Sequence, residues 1–167
     1  MRCIAEPSVA PAPTPEDAPE PPVSLRGFRP SDLETIMGIV AEALHERYEP
    51  SLYATLSGNW PEGFLVAADE NDRPTGFLLG VNQVANEGRV LMFAVDRHGR
   101  RRGVGTVLMR TFLDRCRARG LTRATLEVRV SNAQAIRLYA RFRYSVVDLL
   151  RAYYSDGENG YQMSRPL

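Results

Sequence analysis

The chain has 167 residues, of which 44% are hydrophobic and 25% charged, an ordinary balance for a globular protein with one sizeable core. Its two cysteines, Cys3 and Cys116, have no metal-ligand spacing and are too few for a disulfide scaffold. No apolar run reaches the ~18 residues of a membrane span, and the first residues lack the apolar stretch of a signal peptide. We therefore expect a cytoplasmic protein without a membrane segment.

The net charge of +1 is the sum of an acidic first part and a basic second part of the chain. Residues 1–96 contain 6 Arg and 15 acidic residues, a balance of −9, whereas residues 97–167 contain 15 Arg and 5 acidic residues, a balance of +10. The second half is suited to an anionic ligand and the first to a cation or an amine. The alternative is that opposite surfaces of one domain simply neutralise each other.

The first 22 residues are rich in Pro, Ala and Glu, with prolines at positions 7, 11, 13, 15, 19, 21 and 22. Such a segment buries too little apolar surface to offset its ordering entropy. We expect a flexible, partly polyproline tail over residues 1–22, with a proline-rich ligand for a partner as the alternative. Residues 23–167 are expected to form the single folded domain.

From residue 23 onward, short apolar runs alternate with segments of helical periodicity. Strands are predicted at 23–28, 64–68, 75–82, 89–95, 124–130, 146–153 and 159–164, and helices at 31–45, 51–57, 103–119 and 133–142. Short turns join the second, third and fourth strands, which predicts an antiparallel meander. A helix joins the fourth and fifth strands, so these two should be parallel.

Helix boundaries carry their own signals. Ser31 and Glu34 have the spacing of a capping box, His45 falls where its charge complements a helix C-terminus, and Gly120 suits a C-cap. Ser131 or Asn132 should cap the helix that follows. The residues predicted to be buried on the first and third helices are Leu33, Ile36, Met37, Ile39, Val40, Leu44, Val104, Val107, Leu108, Phe112, Leu113 and Cys116.

The junction between strand 89–95 and the third helix reads Arg100-Arg-Arg-Gly-Val-Gly105. A helix N-terminus presents unpaired N–H groups, glycines admit a ligand close to the backbone, and guanidinium groups bind phosphate. A P-loop is excluded because the chain has no lysine, and a dinucleotide fingerprint is excluded because Leu108 stands where its third glycine belongs. A site for a phosphate-bearing anion and a solvated basic turn remain as alternatives.

Three motifs together resemble the GNAT superfamily of acyl-CoA-dependent N-acetyltransferases. They are the loop at 100–105, the run Leu126-Glu-Val-Arg-Val-Ser-Asn-Ala-Gln-Ala-Ile-Arg-Leu-Tyr139, and Tyr153-Tyr-Ser-Asp-Gly-Glu158 followed by Met163. Over about residues 23–167 the chain is similar to the RimI-type and archaeal members, which acetylate protein α-amino groups. It departs from them at Arg143-Tyr144, where the family has Gly-Phe, and at Asn159-Gly160 after the acidic motif.

The resemblance implies a mixed α/β GNAT fold, with a mostly antiparallel sheet of about seven strands and about four flanking helices. It implies acetyl-CoA as co-substrate, no metal, and direct attack by the acceptor amine in a ternary complex. The acceptor would be a protein N-terminus, with ribosomal proteins among the candidates, and the enzyme would be a monomer or homodimer.

The resemblance also assigns the site. Backbone groups of Phe93, Ala94 and Val95 would hold the pantetheine arm, and Arg100, Arg101, Arg102, Gly103, Val104, Gly105 and Thr106 the pyrophosphate. Asn132 would contact the CoA arm, Glu127 would be the general base, and Tyr139 would protonate the leaving thiolate. Tyr48, Glu49, Tyr153 and Tyr154 would flank the acceptor amine.

The residues alone allow simpler roles. On a strand, Thr125, Glu127 and Arg129 share one face, so Glu127 and Arg129 could form a surface ion pair. Tyr139 and the other tyrosines could be packing residues, and Asn132 only a cap.

Two other functions stay open. The acceptor could be a small amine such as a polyamine or an antibiotic, or the Arg-rich half could bind nucleic acid without catalysis. Nucleic-acid binding is disfavoured because the arginines fall on several predicted elements, without an aromatic-rich strand beside them.

Overall fold

The computed structural model describes residues 23–167, so the tail predicted for residues 1–22 lies outside the described part of the chain. One mixed sheet of seven strands runs through it in the order β1-β2-β3-β4-β5-β7-β6. The strands are β1 Ser24–Gly27, β2 Phe64–Ala68, β3 Pro74–Val81, β4 Glu87–Val95, β5 Arg123–Arg129, β6 Ser145–Leu150 and β7 Gly160–Pro166. The pair β4–β5 is parallel and the other pairs are antiparallel, which confirms the predicted meander β2–β3–β4 and the predicted parallel pair.

Four α-helices cover the two faces of this sheet. They are α1 Leu33–Leu44, α2 Pro50–Asn59, α3 Val104–Ala118 and α4 Ala133–Arg141. Helices α1 and α2 bury one apolar cluster with one face of the sheet, and α3 and α4 bury a second cluster on the opposite face. None of the helices within residues 23–167 has the length and apolar character that a membrane crossing requires.

Two of the predicted helix ends are confirmed. Asn132 caps α4 by accepting a hydrogen bond from the Ala135 amide at 3.1 Å. Gly120 follows α3 with φ of 77°, and its amide and that of Leu121 bond back to carbonyls of the last turn.

The predicted capping box of Ser31 and Glu34 is wrong. Pro30–Asp32 forms a 3₁₀ turn ahead of α1, and the buried Asp32 carboxylate accepts from the Arg29 amide at 2.8 Å. Arg26 of β1 pairs with the same carboxylate at 2.7 Å, so Asp32, and not Ser31, organises the start of α1. Leu33, Met37 and Leu44 are only partly buried, because α1 turns mainly Ile36, Ile39 and Val40 toward the sheet.

Strand β6 ends at Leu150, three residues before its predicted end. Ala152 takes a left-handed φ of 47°, and its amide bonds to Asn159 Oδ1 at 2.8 Å, which closes residues 151–159 into a loop. Tyr153 and Tyr154 therefore belong to the β6–β7 loop. Arg143 has φ of 61°, the left-handed conformation that a family glycine would adopt more easily.

Strands β4 and β5 separate halfway along their length. They pair only from Glu87–Val90 to Arg123–Leu126, and the register of β4 with β3 shifts just there, leaving Leu91 without a partner residue. Beyond this bulge β4 stays on β3 and β5 stays on β7, so an opening forms between them. The bulge also reverses the side of the sheet to which alternate side chains of β4 point. Val90 packs on the α3 side, whereas Met92 and Ala94 pack on the α1 side.

Candidate active site

The opening exposes one backbone edge of β4. The Asp96 amide donates to the Thr75 carbonyl of β3 at 2.9 Å. Because the backbone groups of successive strand residues point to opposite sides, the N–H and C=O groups of Val95 and Phe93 face the opening. Arg100 Nε donates to Val95 O at 3.0 Å, so this carbonyl points away from β3. An extended ligand with amide groups could pair with this edge as an added strand.

A basic loop leads from the end of β4 to the N-terminus of α3. Arg100, Arg101 and Arg102 are exposed, and the loop is braced by Asp96, whose Oδ1 accepts from the Gly99 amide at 2.6 Å. Gly103 is the N-cap residue of α3 with φ of 81°, and no side chain caps the helix there. The free first-turn amides, the helix dipole and the three guanidinium groups suit a polyphosphate.

The α3–α4 side of the opening is apolar. A Cβ added at Gly105 would lie 3.4 Å from the Phe93 ring and 3.7 Å from Leu138, so the start of α3 packs closely on β4 and α4. The Phe93 and Tyr139 rings lie 6.3 Å apart between centroids. On the outer side, Arg141 donates to the Thr106 hydroxyl at 3.3 Å.

Tyr139 lies on α4 and is buried, with 7% of its surface exposed. Burial raises the pKa of its phenol above the ordinary value, and the neighbouring Tyr154 raises it further. Tyr139 therefore keeps its proton at neutral pH and can act as a hydrogen-bond donor.

Glu127 lies on the other face of the sheet. Its neighbours Leu126 and Val128 pack into the α3 cluster, so Glu127 points to the α1 side, where its side chain is 11% exposed. Arg89 of β4 donates from Nε to Glu127 Oε2 at 2.9 Å, and its Nη2 also donates to the Tyr153 hydroxyl at 3.3 Å. The alternative of a Glu127–Arg129 ion pair is wrong, because the partner of Glu127 comes from the adjacent strand.

Arg129 instead joins several segments around Glu127. Its Nη1 donates to Asp156 and Glu158 at 2.8 Å each, and Nη2 lies 3.7 Å from Glu46, which follows α1. The guanidinium carbon also stacks 4.0 Å from the Tyr154 ring centroid. Arg129 thus holds the β6–β7 loop against β5 and draws the α1–α2 connection toward it.

The two loop carboxylates are held ionised. Hydrogen bonds from Ser131 and then from Arg129 lower the pKa of Glu158, whose Oε1 accepts from the Ser131 amide at 3.0 Å. The Glu158 amide and Arg129 lower the pKa of Asp156 in the same way. The β6–β7 loop is therefore tied both to β5 and to the residue before the N-cap of α4.

Tyrosines line the space on the Glu127 side. Tyr153 and Tyr154 meet edge to face with centroids 5.1 Å apart. Burial raises the pKa of Tyr154 to about 12, and Tyr153 and Glu127 add to this shift. Burial and the nearby Glu46 also raise the pKa of Tyr48. Tyr48 lies close enough to Arg129 and Tyr153 to interact with them electrostatically.

The structure thus brings most of the predicted residues together in two groups. The loop 100–106, Phe93, Val95 and Tyr139 lie on the α3–α4 side of the opening. Glu127, Tyr48, Tyr153 and Tyr154 lie on the α1 side or in the adjoining loop. Ala94 packs on the α1 side, Asn132 serves as a cap of α4, and Glu49 is the N-cap residue of α2.

Sequence reasoning missed Arg89, Glu46 and the partners of Arg129. The Asp156-Gly-Glu158 motif was a sequence signal for the partners of Arg129. Arg89 could be found only from the register of β4 with β5, in which it lies opposite Thr125. Among residues 23–167, no group of three or more His, Cys, Asp or Glu side chains is arranged to hold a metal ion.

The chain is similar in sequence to a known protein family and to known proteins. The profile of the family described as "Acetyltransferase (GNAT) family" matches residues 33–144. An N-alpha-acetyltransferase of Sulfurisphaera tokodaii is 30% identical over 155 residues, which are 86% of this chain and 92% of that protein.

Two solved structures extend the comparison. Ard1 from Thermoplasma volcanium superposes with a TM-score of 0.84 at 38% identity, covering 87% of this chain and 98% of its own. The ribosomal-protein-S18-alanine N-acetyltransferase from Escherichia coli gives a TM-score of 0.75 at 26% identity, covering 86% of this chain and 93% of its own.

The family match confirms the mixed α/β GNAT fold expected from the three motifs. The chain belongs to the GNAT family and is an acetyl-CoA-dependent N-acetyltransferase.

Proposed function

We propose that this protein transfers the acetyl group of acetyl-CoA to the N-terminal α-amino group of proteins. The observation that carries the proposal is the position of Glu127, a carboxylate beside the opening on the face opposite Tyr139, close to Tyr154 and linked through Arg89 to Tyr153. The names of the relatives, an N-alpha-acetyltransferase and an S18-alanine acetyltransferase, support this acceptor class.

The donor half of the site would bind acetyl-CoA along the α3–α4 side. The pantetheine arm would pair with backbone groups of Phe93 and Val95, at the edge that β5 leaves free. Amides from Arg101 to Thr106, together with the guanidinium groups of residues 100–102, would hold the pyrophosphate. Asn132, at the start of α4, would contact the CoA arm beside its capping role.

The acceptor half would bind the amine on the α1 side. A peptide α-amine has a pKa near ~8, so a usable fraction is neutral at physiological pH and a weak base suffices. Glu127 would take the proton of the attacking amine directly or through one water. A C–N bond forms, the C–S bond breaks, and the sulfur of CoA is released as the thiol after it gains a proton.

Tyr139 would act at the sulfur. Because burial raises the pKa of its phenol, full proton transfer to a thiolate with pKa near ~8.5 is uphill. The principal contribution of Tyr139 would therefore be a hydrogen bond that strengthens as charge develops on the sulfur. The departing thiolate would take its proton from solvent, and Glu127 would return the proton of the amine to solvent, so that Tyr139 keeps its own.

The shape of the acceptor side favours a peptide over a small amine. Tyr48 and the Tyr153-Tyr154 pair come from separate loops and would form two walls for an extended chain. Glu49 would lie at the outer end of the Tyr48 wall. We further propose that residues 23–167 act as one domain, as a monomer or homodimer in the cytoplasm, with ribosomal proteins among the acceptors.

An acceptor panel tests the proposal. The full chain with acetyl-CoA is given peptides beginning Ala, Ser, Met-Leu and Met-Glu, and in parallel polyamines and aminoglycosides, with products measured by mass spectrometry. We expect acetylation at the peptide α-amine and none on peptides whose N-terminus is already blocked. Turnover of the small amines with inert peptides would contradict the proposed acceptor class and leave the family assignment in place.

A further inference from the structure

Arg89 makes the contacts that fix the geometry of Glu127. Its Nε and Nη2 both lie 2.9 Å from Glu127 Oε2, so one carboxylate oxygen takes both contacts and Oε1 is left for another partner. The same guanidinium reaches the Tyr153 hydroxyl at 3.3 Å. A single side chain of β4 thus joins the carboxylate of β5 to the tyrosine wall of the β6–β7 loop.

We propose that Arg89 is a positioning residue of the acetyl transfer, which holds Glu127 so that Oε1 faces the acceptor amine. This inference rests on the proposed role of Glu127 as the base. Arg89 acts through Glu127 and does not itself exchange a proton with the substrates, since a guanidinium stays protonated throughout.

The strand register explains why Glu127 needs such a partner. Arg89 lies on a fully paired part of β4, opposite Thr125 of β5 and Val81 of β3, so its backbone is fixed from both sides. Glu127 lies one residue beyond Leu126, the last β5 residue that pairs with β4, and only β7 pairs with it there. Without a guanidinium beside it, the carboxylate could sample several rotamers at the edge of the opening.

Arg89 also changes the electrostatics met by the acceptor. Burial lowers the pKa of Arg89, but the hydrogen bond and charge of Glu127 outweigh this effect and leave the pKa above its ordinary value. The Arg89–Glu127 pair is therefore net neutral toward an incoming amine. A bare Glu127 would attract the protonated ammonium, which is the unreactive form.

The other charged groups around Glu127 largely neutralise each other or stay neutral. The titratable side chains near the Arg89–Glu127 pair include Glu87, which is paired with Arg123, and Tyr48, Glu46, Arg129, Tyr153, Tyr154, Asp156 and Glu158. Arg129 is paired with three carboxylates, and the pKa values of Tyr48 and Tyr154 are raised, so these phenols are uncharged at neutral pH. Arg89 is thus the cation in direct contact with Glu127.

A double-mutant cycle tests the proposal. The variants Arg89→Met, Arg89→Lys, Glu127→Gln and the pair Arg89→Met with Glu127→Gln are assayed as full chains, with the best acceptor found by the panel. We expect Arg89→Met to lower kcat about tenfold or more, up to the loss from Glu127→Gln, with Lys recovering part of it. In the Glu127→Gln background, Arg89→Met should change kcat less than about twofold.

The pH profile gives a second readout. Because Arg89→Met removes a positive charge next to the bound amine, the acidic limb of kcat should move to higher pH. A role of Arg89 in stability alone would leave that limb in place. The matched control is Arg123→Met, which breaks the other cross-strand ion pair of β4 and β5, to Glu87 at 2.7 Å, and should keep the wild-type kcat and pH profile.

Different outcomes overturn different claims. If Glu127→Gln keeps the wild-type kcat, the proposed base is wrong and the role of Arg89 falls with it. If Glu127→Gln is impaired but the effects of the two substitutions multiply, only the role of Arg89 is wrong. An equal loss of kcat in Arg123→Met would also refute the positioning role. If Arg89→Met fails to fold, Arg89→Lys takes its place in the cycle. A partial loss of kcat that falls below about twofold in the Glu127→Gln background supports the role, whereas no loss, or a loss of the same size in both backgrounds, contradicts it.

Discussion

Cys116 illustrates how burial alone sets the chemistry of one side chain. It lies on α3 with no exposed surface, in the core between the helix and the sheet. Burial raises the pKa of its thiol to about 12. The reactive thiolate is therefore scarce at physiological pH, and the residue serves as a small apolar core side chain, as the periodicity of the helix predicted.

We predict that Cys116 resists alkylation in the folded protein. At pH 8 a pKa of about 12 leaves about 1 thiol in 10,000 ionised, and the surrounding core excludes the reagent. Treatment with iodoacetamide followed by peptide mapping should label Cys116 only after unfolding in guanidinium. Labelling of the folded protein at the rate of the unfolded chain would show that the thiol is accessible.

At the scale of elements, the loop between β6 and β7 depends on Arg129. This side chain supplies the ion pairs to Asp156 and Glu158 and the stacking on Tyr154 that hold the loop against β5. The loop carries one wall of the proposed acceptor site. Its anchoring should therefore matter for acceptor binding more than for the donor.

We predict that Arg129→Met raises KM for the acceptor about tenfold and leaves KM for acetyl-CoA within about twofold, because the basic loop and β4 edge are untouched. Steady-state kinetics with each substrate varied in turn measures both. Arg117→Met is the matched control, since it removes a surface pair to Asp114 at 2.8 Å on α3, far along the chain from the loop. Equal changes in both KM values would contradict a role confined to the acceptor wall.

The basic loop before α3 gives the opposite pattern. Replacing Arg100, Arg101 and Arg102 by Ala should raise KM for acetyl-CoA at least tenfold, with a weaker dependence on salt, while KM for the acceptor stays nearly constant. Titration with acetyl-CoA at two ionic strengths provides the measurement. An unchanged KM for acetyl-CoA would mean that the arginines form a solvated turn and do not bind the pyrophosphate.

Sequence periodicity predicted the elements because each buries a stripe of its own residues. The seven strands and four helices follow from local patterns such as Val107, Phe112 and Cys116 on α3. The bulge at Leu91 and the Arg89–Glu127 pair could not be predicted in this way. Each depends on the register between distant segments, which a single sequence does not encode locally.

At the scale of the whole molecule, the sheet separates the proposed donor side, on the face of α3 and α4, from the proposed acceptor side, on the face of α1. The division of charge along the sequence does not coincide with this separation in space. Arg89 belongs to the acidic half and pairs with Glu127 of the basic half, and Glu46 of the acidic half lies 3.7 Å from Arg129 of the basic half. Charge balance read along the chain therefore indicated two kinds of ligand but not where each binds.

Buried acids and paired carboxylates set the pH range of stability. Burial raises the pKa values of Cys116, Tyr139 and Tyr144. Their contribution to the free energy of unfolding is therefore complete below the pKa values of the unfolded chain, ~8.5 for the thiol and ~10 for the phenols, and is lost as the pH rises above them. Asp156 and Glu158 have lowered pKa values, so their contribution is present above ~4 and is lost as pH falls.

We predict that the free energy of unfolding is highest between about pH 5 and 8 and declines on both sides. Urea unfolding followed by circular dichroism at pH 3 to 11 measures it. Tyr144→Phe should flatten the alkaline decline, because it removes one of the buried phenols. Stability that continues to rise above pH 10 would contradict the sign of these shifts.

The most direct test of the proposed catalytic pair compares turnover and donor binding in one variant, Glu127→Gln with Tyr139→Phe. With acetyl-CoA and the best peptide from the panel, we predict a loss in kcat of about 1,000-fold or more, because both the base and the hydrogen-bond donor to the sulfur are gone. Thermal protection by CoA should remain as in the wild-type protein, and the exposed-residue control Glu42→Gln should keep full turnover. Wild-type turnover by the double variant would contradict the catalytic roles of Glu127 and Tyr139.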